Sequence, residues 1–454
     1  MLLTIEKLIY GGDGLARLPA DPCKNKDEAH ARGKAVFVPF VLAGERIEAS
    51  LVEEKPGFAR AMVDTVIEPS PHRIQPTCPY FARCGGCHYQ HASYEHQLEI
   101  KKGILRESLR RTAKLELPID IEVHASPPWN YRNRSRLQVK VGPEFGAGYF
   151  KLASHELLPV EECPISSPLI NRGIAALWLS GRAGKVPEGV REVEFFANAN
   201  DSQLLVDVRC AGTARRSAVR EWAEEFRAAL PGITGVVAFR EPNPGDRKAG
   251  PQDTLVTVGT PYLNYQTQGG AYRVSAGSFF QTNRHLTDEL VKIVTAPRQS
   301  GPLALDLYAG VGLFSTALAC DFRHMVSVEM SQTSSADLLY NRPSNGEVVQ
   351  ATAEQYLRSA ENPERVAKGA ALSNVLNKPD LVVVDPPRSG LGERVAQLLA
   401  TSGAPRITYV SCDPATLSRD LVTLLAAGYR AEQVNLVDLF PQTHHLESVV
   451  HLVR

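Results

Sequence analysis

Four short apolar runs, Ala304–Tyr308, Met325–Glu329, Leu381–Asp385 and Ile407–Ser411, alternate with segments of helical period in the last third of the chain. No other feature constrains the fold as strongly. Strands that alternate with helices predict a parallel sheet with helices on both faces, an α/β doubly wound architecture. Two of the runs end alike: Asp385 precedes Pro386-Pro387-Arg388, and Ser411-Cys412 precedes Asp413-Pro414. Open α/β sheets bind their ligands outside the carboxyl ends of the strands. A thiol at that position, Cys412, reads as a nucleophile rather than as a packing residue.

The rest of the chain is organised differently. Residues 1–68 show short strand-like runs (Val36–Phe40, Arg46–Val52) between glycine turns, the pattern of a small β-barrel. The polar stretch Asp21–Gly33 reads as a loop insertion. Pro69–Pro79 reads as a linker, and residues 94–111 have helical periodicity with a basic exposed side. From Ala125 to Tyr265 the alternation is mostly of period two, hence strands, interrupted by one helix over Ala214–Leu230. Glu241–Asp253 and Glu361–Pro379 read as loops. With 454 residues the chain is expected to hold two or three domains. No apolar run approaches the ~20 residues of a membrane span, and the first residues lack a signal-peptide pattern, so a cytoplasmic location is expected. The 50 basic and 50 acidic residues cancel. A local basic stripe can still bind nucleic acid in a chain of zero net charge.

Leu305-Asp306-Leu307-Tyr308-Ala309-Gly310-Val311-Gly312 is a strand running into a glycine turn and then a helix at Leu313–Ala319. Gly310 and Gly312 let backbone approach a ligand. The next strand ends at Glu329, where a carboxylate can accept from ribose hydroxyls. No third glycine stands at the dinucleotide spacing and no Walker lysine follows, which argues against NAD and ATP. S-adenosylmethionine, with a ribose and no phosphate, suits the pattern.

Eight cysteines occur. In a reducing compartment they serve as ligands, nucleophiles or buried apolar groups. Cys78, Cys84 and Cys87, with the distant Cys163, form an all-thiolate set that suits either zinc or an iron–sulfur cluster. Cys23, Cys210 and Cys320 stand in no motif. On the run Tyr131–Lys140, Arg132, Arg134, Arg136, Gln138 and Lys140 share one strand face. A phosphate backbone is the expected partner of such a face.

Four segments together resemble the RNA 5-methyluridine (uracil-C5) methyltransferases: Ser278-Phe279-Phe280-Gln281-Thr282-Asn283, Asp385-Pro386-Pro387-Arg388, Ser411-Cys412-Asp413-Pro414 and Phe440-Pro441-Gln442-Thr443-His444-His445-Leu446-Glu447. The resemblance spans nearly the whole chain. It implies a Rossmann-like S-adenosylmethionine-dependent methyltransferase domain over 269–454. It further implies an N-terminal OB-like RNA-binding barrel (TRAM) over 1–68, and a central mainly-β domain over 69–93 and 118–268. The helix 94–117 is expected to pack on the catalytic domain. By the same resemblance Cys412 is the nucleophile that adds to uracil C6, Glu447 the base at C5, and Asp385 a catalytic hydrogen-bonding group. Gln281, Tyr308, Gly310, Gly312, Glu329 and Asp385 line the cofactor pocket. Phe279 stacks on the flipped base, and Arg388 with Arg132, Arg134 and Arg136 contacts RNA.

One branch of the family carries a [4Fe–4S] cluster on the positions matched by Cys78, Cys84, Cys87 and Cys163. That branch acts mostly on large-subunit (23S) ribosomal RNA, so ribosomal RNA is the expected partner and a monomer the expected state. A transfer RNA substrate is the alternative, as is an RNA-binding assembly factor on a methyltransferase fold. A cytosine-C5 enzyme is disfavoured, because those carry a Pro-Cys pair or two catalytic cysteines. The sequence departs from the family where an Asn is usual and Leu313 stands.

Overall fold

The computed structural model describes all residues except 19–32, 117–119, 242–252, 297–299 and 362–377. The three expected loops, Asp21–Gly33, Glu241–Asp253 and Glu361–Pro379, lie almost wholly outside the described residues, as does Cys23. The chain divides into two compact units. The first comprises Met1–Glu107, Phe150–Glu156 and Phe440–His445, and the second the remainder. These limits cross the boundaries read from sequence. In particular, the helix Tyr94–Thr112 falls largely in the first unit, where Ile100 packs on Leu8, Leu42, Tyr89 and Ala92.

The first unit contains a six-stranded sheet in the order Leu2–Thr4, Arg46–Glu54, Phe58–Glu68, Ala35–Val38, Gly14–Arg17, Lys7–Leu8. Alternate residues such as Leu3, Ile47, Ala49, Ala59 and Ala61 point into one core. The buried Glu45 carboxylate is matched there by Arg73 at 2.6 Å and by the Leu42 and Ser70 amides. The segment Phe440–His445 is held in this unit. Gln97 and Gln442 exchange hydrogen bonds at 2.9 and 3.0 Å, and Lys101 donates to the Phe440 carbonyl.

The second unit carries two large sheets. The seven-stranded one runs Leu157–Pro159, Gly146–Phe150, Arg134–Lys140, Val190–Ala197, Leu204–Cys210, Ile233–Arg240, Asp253–Gly259. Two helices cover one face, not the single one expected. Arg216–Ala229 was legible; Pro168–Arg182 was not. The second has its own signals, Ser167 as N-cap accepting from the Ile170 amide and Pro168 in the first turn. It buries Leu169, Ile170, Ile174, Leu177 and Trp178 against Leu137, Val193 and Phe195. Each such side chain contributes roughly 1.5–3 kcal/mol by burial.

The eight-stranded sheet runs Gly346–Gln350, Phe322–Glu329, Gly301–Leu307, Leu381–Val384, Arg406–Ser411, Glu447–Val453, Arg430–Val437, Glu122–His124. The first five strands are mutually parallel. Glu447–Val453 runs antiparallel to both its neighbours, so the sheet is mixed where a parallel one was expected. Its seven residues are all buried, which a strand enclosed on both edges and both faces requires. No helix among the described residues is long and apolar enough to cross a membrane.

Candidate active site

The site grows from the carboxyl ends of the central strands. Strand Arg406–Ser411 stops at Cys412, because Asp413-Pro414 cannot extend it and begins a helix instead. Asp413 caps the helix Pro414–Ala426, its Oδ1 accepting from the Ala415 and Thr416 amides at 2.9 Å. Such a cap contributes about 1 kcal/mol. It also puts the Cys412 thiol beside the positive end of a helix dipole, which favours a thiolate.

The antiparallel neighbour supplies the second group. Ser411 pairs with Ser448, so Cys412, which follows the one, and Glu447, which precedes the other, lie at the same end of the strand pair, and the Glu447 charge acts on the thiol. Asp385 ends the parallel neighbour Leu381–Val384, and its amide donates to the Leu307 carbonyl at 3.3 Å. Gln281 Nε2 lies 3.5 Å from Asp385 Oδ2.

The electrostatics of this cluster are dominated by burial. Burial pushes the Cys412 thiol up to about 12; the charges of Glu447, Asp385 and Asp413 push the same way, and Arg388 opposes them. Burial raises the Glu447 carboxyl well above the ordinary range, Asp385 adds to this, and Arg388 again opposes. Burial and the Asp306 charge raise Asp385 to about 7. In this state the pocket disfavours negative charge. A cation bound among these groups, or the Arg388 guanidinium brought closer, would favour the ionised forms.

The glycine turn follows strand Gly301–Leu307. Tyr308 has φ +66°, in the left-handed region, and Gly310 and Gly312 have φ +57° and +95°. A Cβ on Gly310 would meet nothing within 4 Å, so open space lies over its backbone. A Cβ on Gly312 would press on Leu338 at 2.8 Å. Glu329 Oε2 accepts from the Gly310 amide at 2.9 Å, and Oε1 from the Ser331 amide at 2.6 Å. The carboxylate therefore fixes the turn, and each oxygen keeps a lone pair able to accept a further hydrogen bond. Leu313 is buried, so at this departure from the family pattern the side chain belongs to the core.

The segment Ser278–Asn283 is set by buried hydrogen bonds. Ser278 Oγ donates to Asp337 at 2.7 Å, Asn133 donates to the Gln281 carbonyl, and Asn283 accepts from the His285 and Leu286 amides. Between these anchors Phe279 stands 59% exposed, an uncommon position for a large aromatic and one suited to stacking a base. Asp337 was missed in the sequence. It lies 59 residues from Ser278 in a helix, and no local signal links them.

The arginine face is different from what was expected. Arg136 pairs with Glu194 at 2.9 Å, Gln138 with Glu192, and Arg134 with Glu194 at 3.5 Å. Arg134 lies 4.2 Å over the Phe196 ring and donates to the Ser278 carbonyl. Arg132 precedes the strand and donates to the Arg134 carbonyl. The neighbouring strand Val190–Ala197 thus supplies the anions, and Arg134 is too buried to reach a phosphate. Arg388, by contrast, is exposed.

Cys78, Cys84 and Cys87 lie in the first unit and Cys163 in the second. Among the described residues no group of three or more His, Cys, Asp and Glu side chains is gathered to hold a metal ion.

Residues 93–454 match the family model described as tRNA (Uracil-5-)-methyltransferase. The chain belongs to this family. Its enzyme class is accordingly that of the S-adenosylmethionine-dependent RNA (uracil-C5) methyltransferases. An uncharacterized RNA methyltransferase of Aquifex aeolicus is 33% identical to this family member, with 99% of this chain and 97% of the relative covered. The 23S rRNA (uracil(1939)-C(5))-methyltransferase RlmD of Vibrio parahaemolyticus is 30% identical, with 98% and 94% covered. Among solved structures, the Pyrococcus abyssi tRNA (uracil-54, C5)-methyltransferase in complex with S-adenosyl-L-homocysteine superposes over 100% of both chains. Its TM-score is 0.72 at 23% identity, so the two share a fold.

Proposed function

We propose that this enzyme methylates C5 of a uridine in large-subunit ribosomal RNA through a covalent bond between Cys412 and C6 of the base. The observation that carries this reading is the pairing of Ser411 with Ser448, which brings the neighbouring Cys412 and Glu447 to one end of the sheet, where Asp385 ends the adjacent strand. Uracil C5 is a weak nucleophile. Addition of the Cys412 thiolate to C6 moves the C5–C6 π electrons toward the C4 carbonyl and makes an enolate that is nucleophilic at C5. Bound S-adenosylmethionine supplies the methyl group as an electrophile and departs as a neutral thioether. Glu447 then takes the C5 proton, the C5–C6 double bond re-forms, and the Cys412 thiolate is expelled. Asp385 and Gln281 hold the uracil edge or the cofactor, and Glu329 holds the ribose. The glycine turn at 310–312 admits the cofactor against backbone. C5 and C6 are inaccessible in a stacked helix, so the target base is flipped out, with Phe279 as the exposed ring to receive it.

Ribosomal RNA is favoured over transfer RNA by the likeness to the Vibrio enzyme, which matches end to end. The six-stranded sheet of the first unit is read as the RNA-binding barrel that adds affinity. Mapping 5-methyluridine in ribosomal and transfer RNA from a deletion strain tests the assignment. One 23S uridine should lose its methyl group and regain it on incubation with the pure enzyme; loss confined to transfer RNA would reject the ribosomal substrate.

Cys78, Cys84, Cys87 and Cys163 are proposed to hold a [4Fe–4S] cluster. The four cysteines provide the all-sulfur donor set that such clusters take. The cluster would be structural, and no step of the reaction passes through it. Anaerobically purified protein should contain iron and acid-labile sulfide in about equal amounts, and Cys84→Ser should lose both. Stoichiometric zinc without sulfide would replace the cluster by a zinc site.

A further inference from the structure

The loop after Asp385 contains three exposed residues, Pro387, Arg388 and Ser389, and belongs to no helix or strand. It is nevertheless held at three points by one helix. Thr416 Oγ1 donates to the Arg388 carbonyl at 3.2 Å, and Arg419 Nη2 to the Ser389 carbonyl at 2.8 Å. The Leu391 amide donates to Asp420 Oδ2 at 2.7 Å. Asp420 is itself fixed. Its Oδ2 also accepts from the Tyr409 hydroxyl at 2.8 Å, and its Oδ1 from Arg419 Nε and Nη2 at 2.9 and 2.8 Å. Positions 416, 419 and 420 share one face of the helix Pro414–Ala426. Gly390 seals the contact. Its φ is +73°, and a Cβ there would sit 2.5 Å from Asp420 Oδ2 and 2.7 Å from Arg419 Nη2.

The same helix begins at Asp413, directly after Cys412. Strands Leu381–Val384 and Arg406–Ser411 are adjacent and parallel, so the segments that leave them, 385–392 and 412–416, run side by side. The helix therefore ties the loop bearing Arg388 to the segment bearing the thiol. We propose that Thr416, Arg419 and Asp420 are positioning residues that hold Arg388 toward the Cys412–Glu447 pair. This rests on the functional reading above. The charged groups acting on the thiol are Glu447, Asp385, Asp413 and Arg388, of which Arg388 is the one that favours the thiolate. A buried, fully bonded Asp420 under an exposed loop is more than that loop needs merely to close. It fixes where one cation stands.

Arg419→Met removes the tether to Ser389 and also both donors to Oδ1 of the buried Asp420, so the variant is first checked for native circular dichroism and melting, and Thr416→Val, which removes only the tether to the Arg388 carbonyl, is measured beside it. The decisive measurement is alkylation of Cys412 by iodoacetamide in the full-length protein, followed by peptide mass spectrometry against pH. It reads the thiol without requiring methyl transfer, so it can succeed or fail independently of the assigned activity. Arg419→Met should slow alkylation at pH 8 roughly three- to tenfold and move the profile up by about half to one unit. Asp420→Asn, which keeps the shape and an acceptor for the Leu391 amide, should fall between it and the parent. In the Arg388→Met background, Arg419→Met should add nothing, because its effect passes through that guanidinium. An unshifted profile in Arg419→Met, or a full additive effect on top of Arg388→Met, would overturn the proposal.

Discussion

Cys412→Ala should lower methyl transfer by roughly four orders of magnitude or more, the scale on which loss of a covalent nucleophile acts, while RNA binding stays within about twofold. Glu447→Gln should fail differently. Attack at C6 and transfer to C5 need no base, so the reaction proceeds to the methylated adduct and stops there, because the C5 proton stays in place. A protein–RNA band that survives denaturation, carrying label from the methyl group, should accumulate in Glu447→Gln and be absent in Cys412→Ala. The structure makes this contrast sharp. The two residues flank the Ser411–Ser448 pair and are not interchangeable: the thiol is half-buried just after one strand, and the carboxyl is 6% exposed at the start of its antiparallel neighbour. Turnover retained in Cys412→Ala would remove the nucleophile assignment. Turnover retained in Glu447→Gln without adduct would place the base elsewhere.

Much of this site was legible in sequence because its parts end strands. The runs before Asp385, Cys412 and Glu329 announce themselves by hydrophobicity, and the proline that follows the first two is a backbone signal that the strand stops. Glu447 is another matter. It opens an apolar run and carries no local sign of chemistry; its role came from resemblance, and its place from an antiparallel strand that inserts between Arg406–Ser411 and Arg430–Val437. The arginine strand was legible only in part. Alternation put Arg134, Arg136 and Gln138 on one face, but their carboxylate partners, Glu192 and Glu194, sit over 50 residues away on a neighbouring strand. Charge on a face says nothing of its partners until strand order is known. Asp337 and Asp420 escaped for the same reason: each is a buried hub whose donors come from other elements. The helix Pro168–Arg182 was missed although Ser167-Pro168 marks its start, because the strands around it set the expected period.

The thiol itself gives the last large effect. With Cys412 pushed up to about 12 by burial and by its carboxylate neighbours, the neutral thiol predominates in the ligand-free enzyme at pH 7. Its alkylation in the ligand-free enzyme should therefore be very slow at neutral pH and rise about tenfold per pH unit up to pH 10 without a plateau. The sign of each neighbour follows. A raised thiol pKa comes from burial and from negative charge, so Glu447→Gln should move the curve to lower pH. Arg388→Met removes the opposing cation and should move it to higher pH, each by about one unit. A positively charged ligand in the pocket acts as an added Arg388 would. S-adenosylmethionine should accelerate alkylation more than S-adenosylhomocysteine, which lacks the sulfonium charge. A plateau near pH 8 in the ligand-free enzyme would show that the helix dipole at Asp413 and the Arg388 guanidinium already outweigh burial. The order of events would then change: the nucleophile would be armed before the cofactor arrives, and not by it.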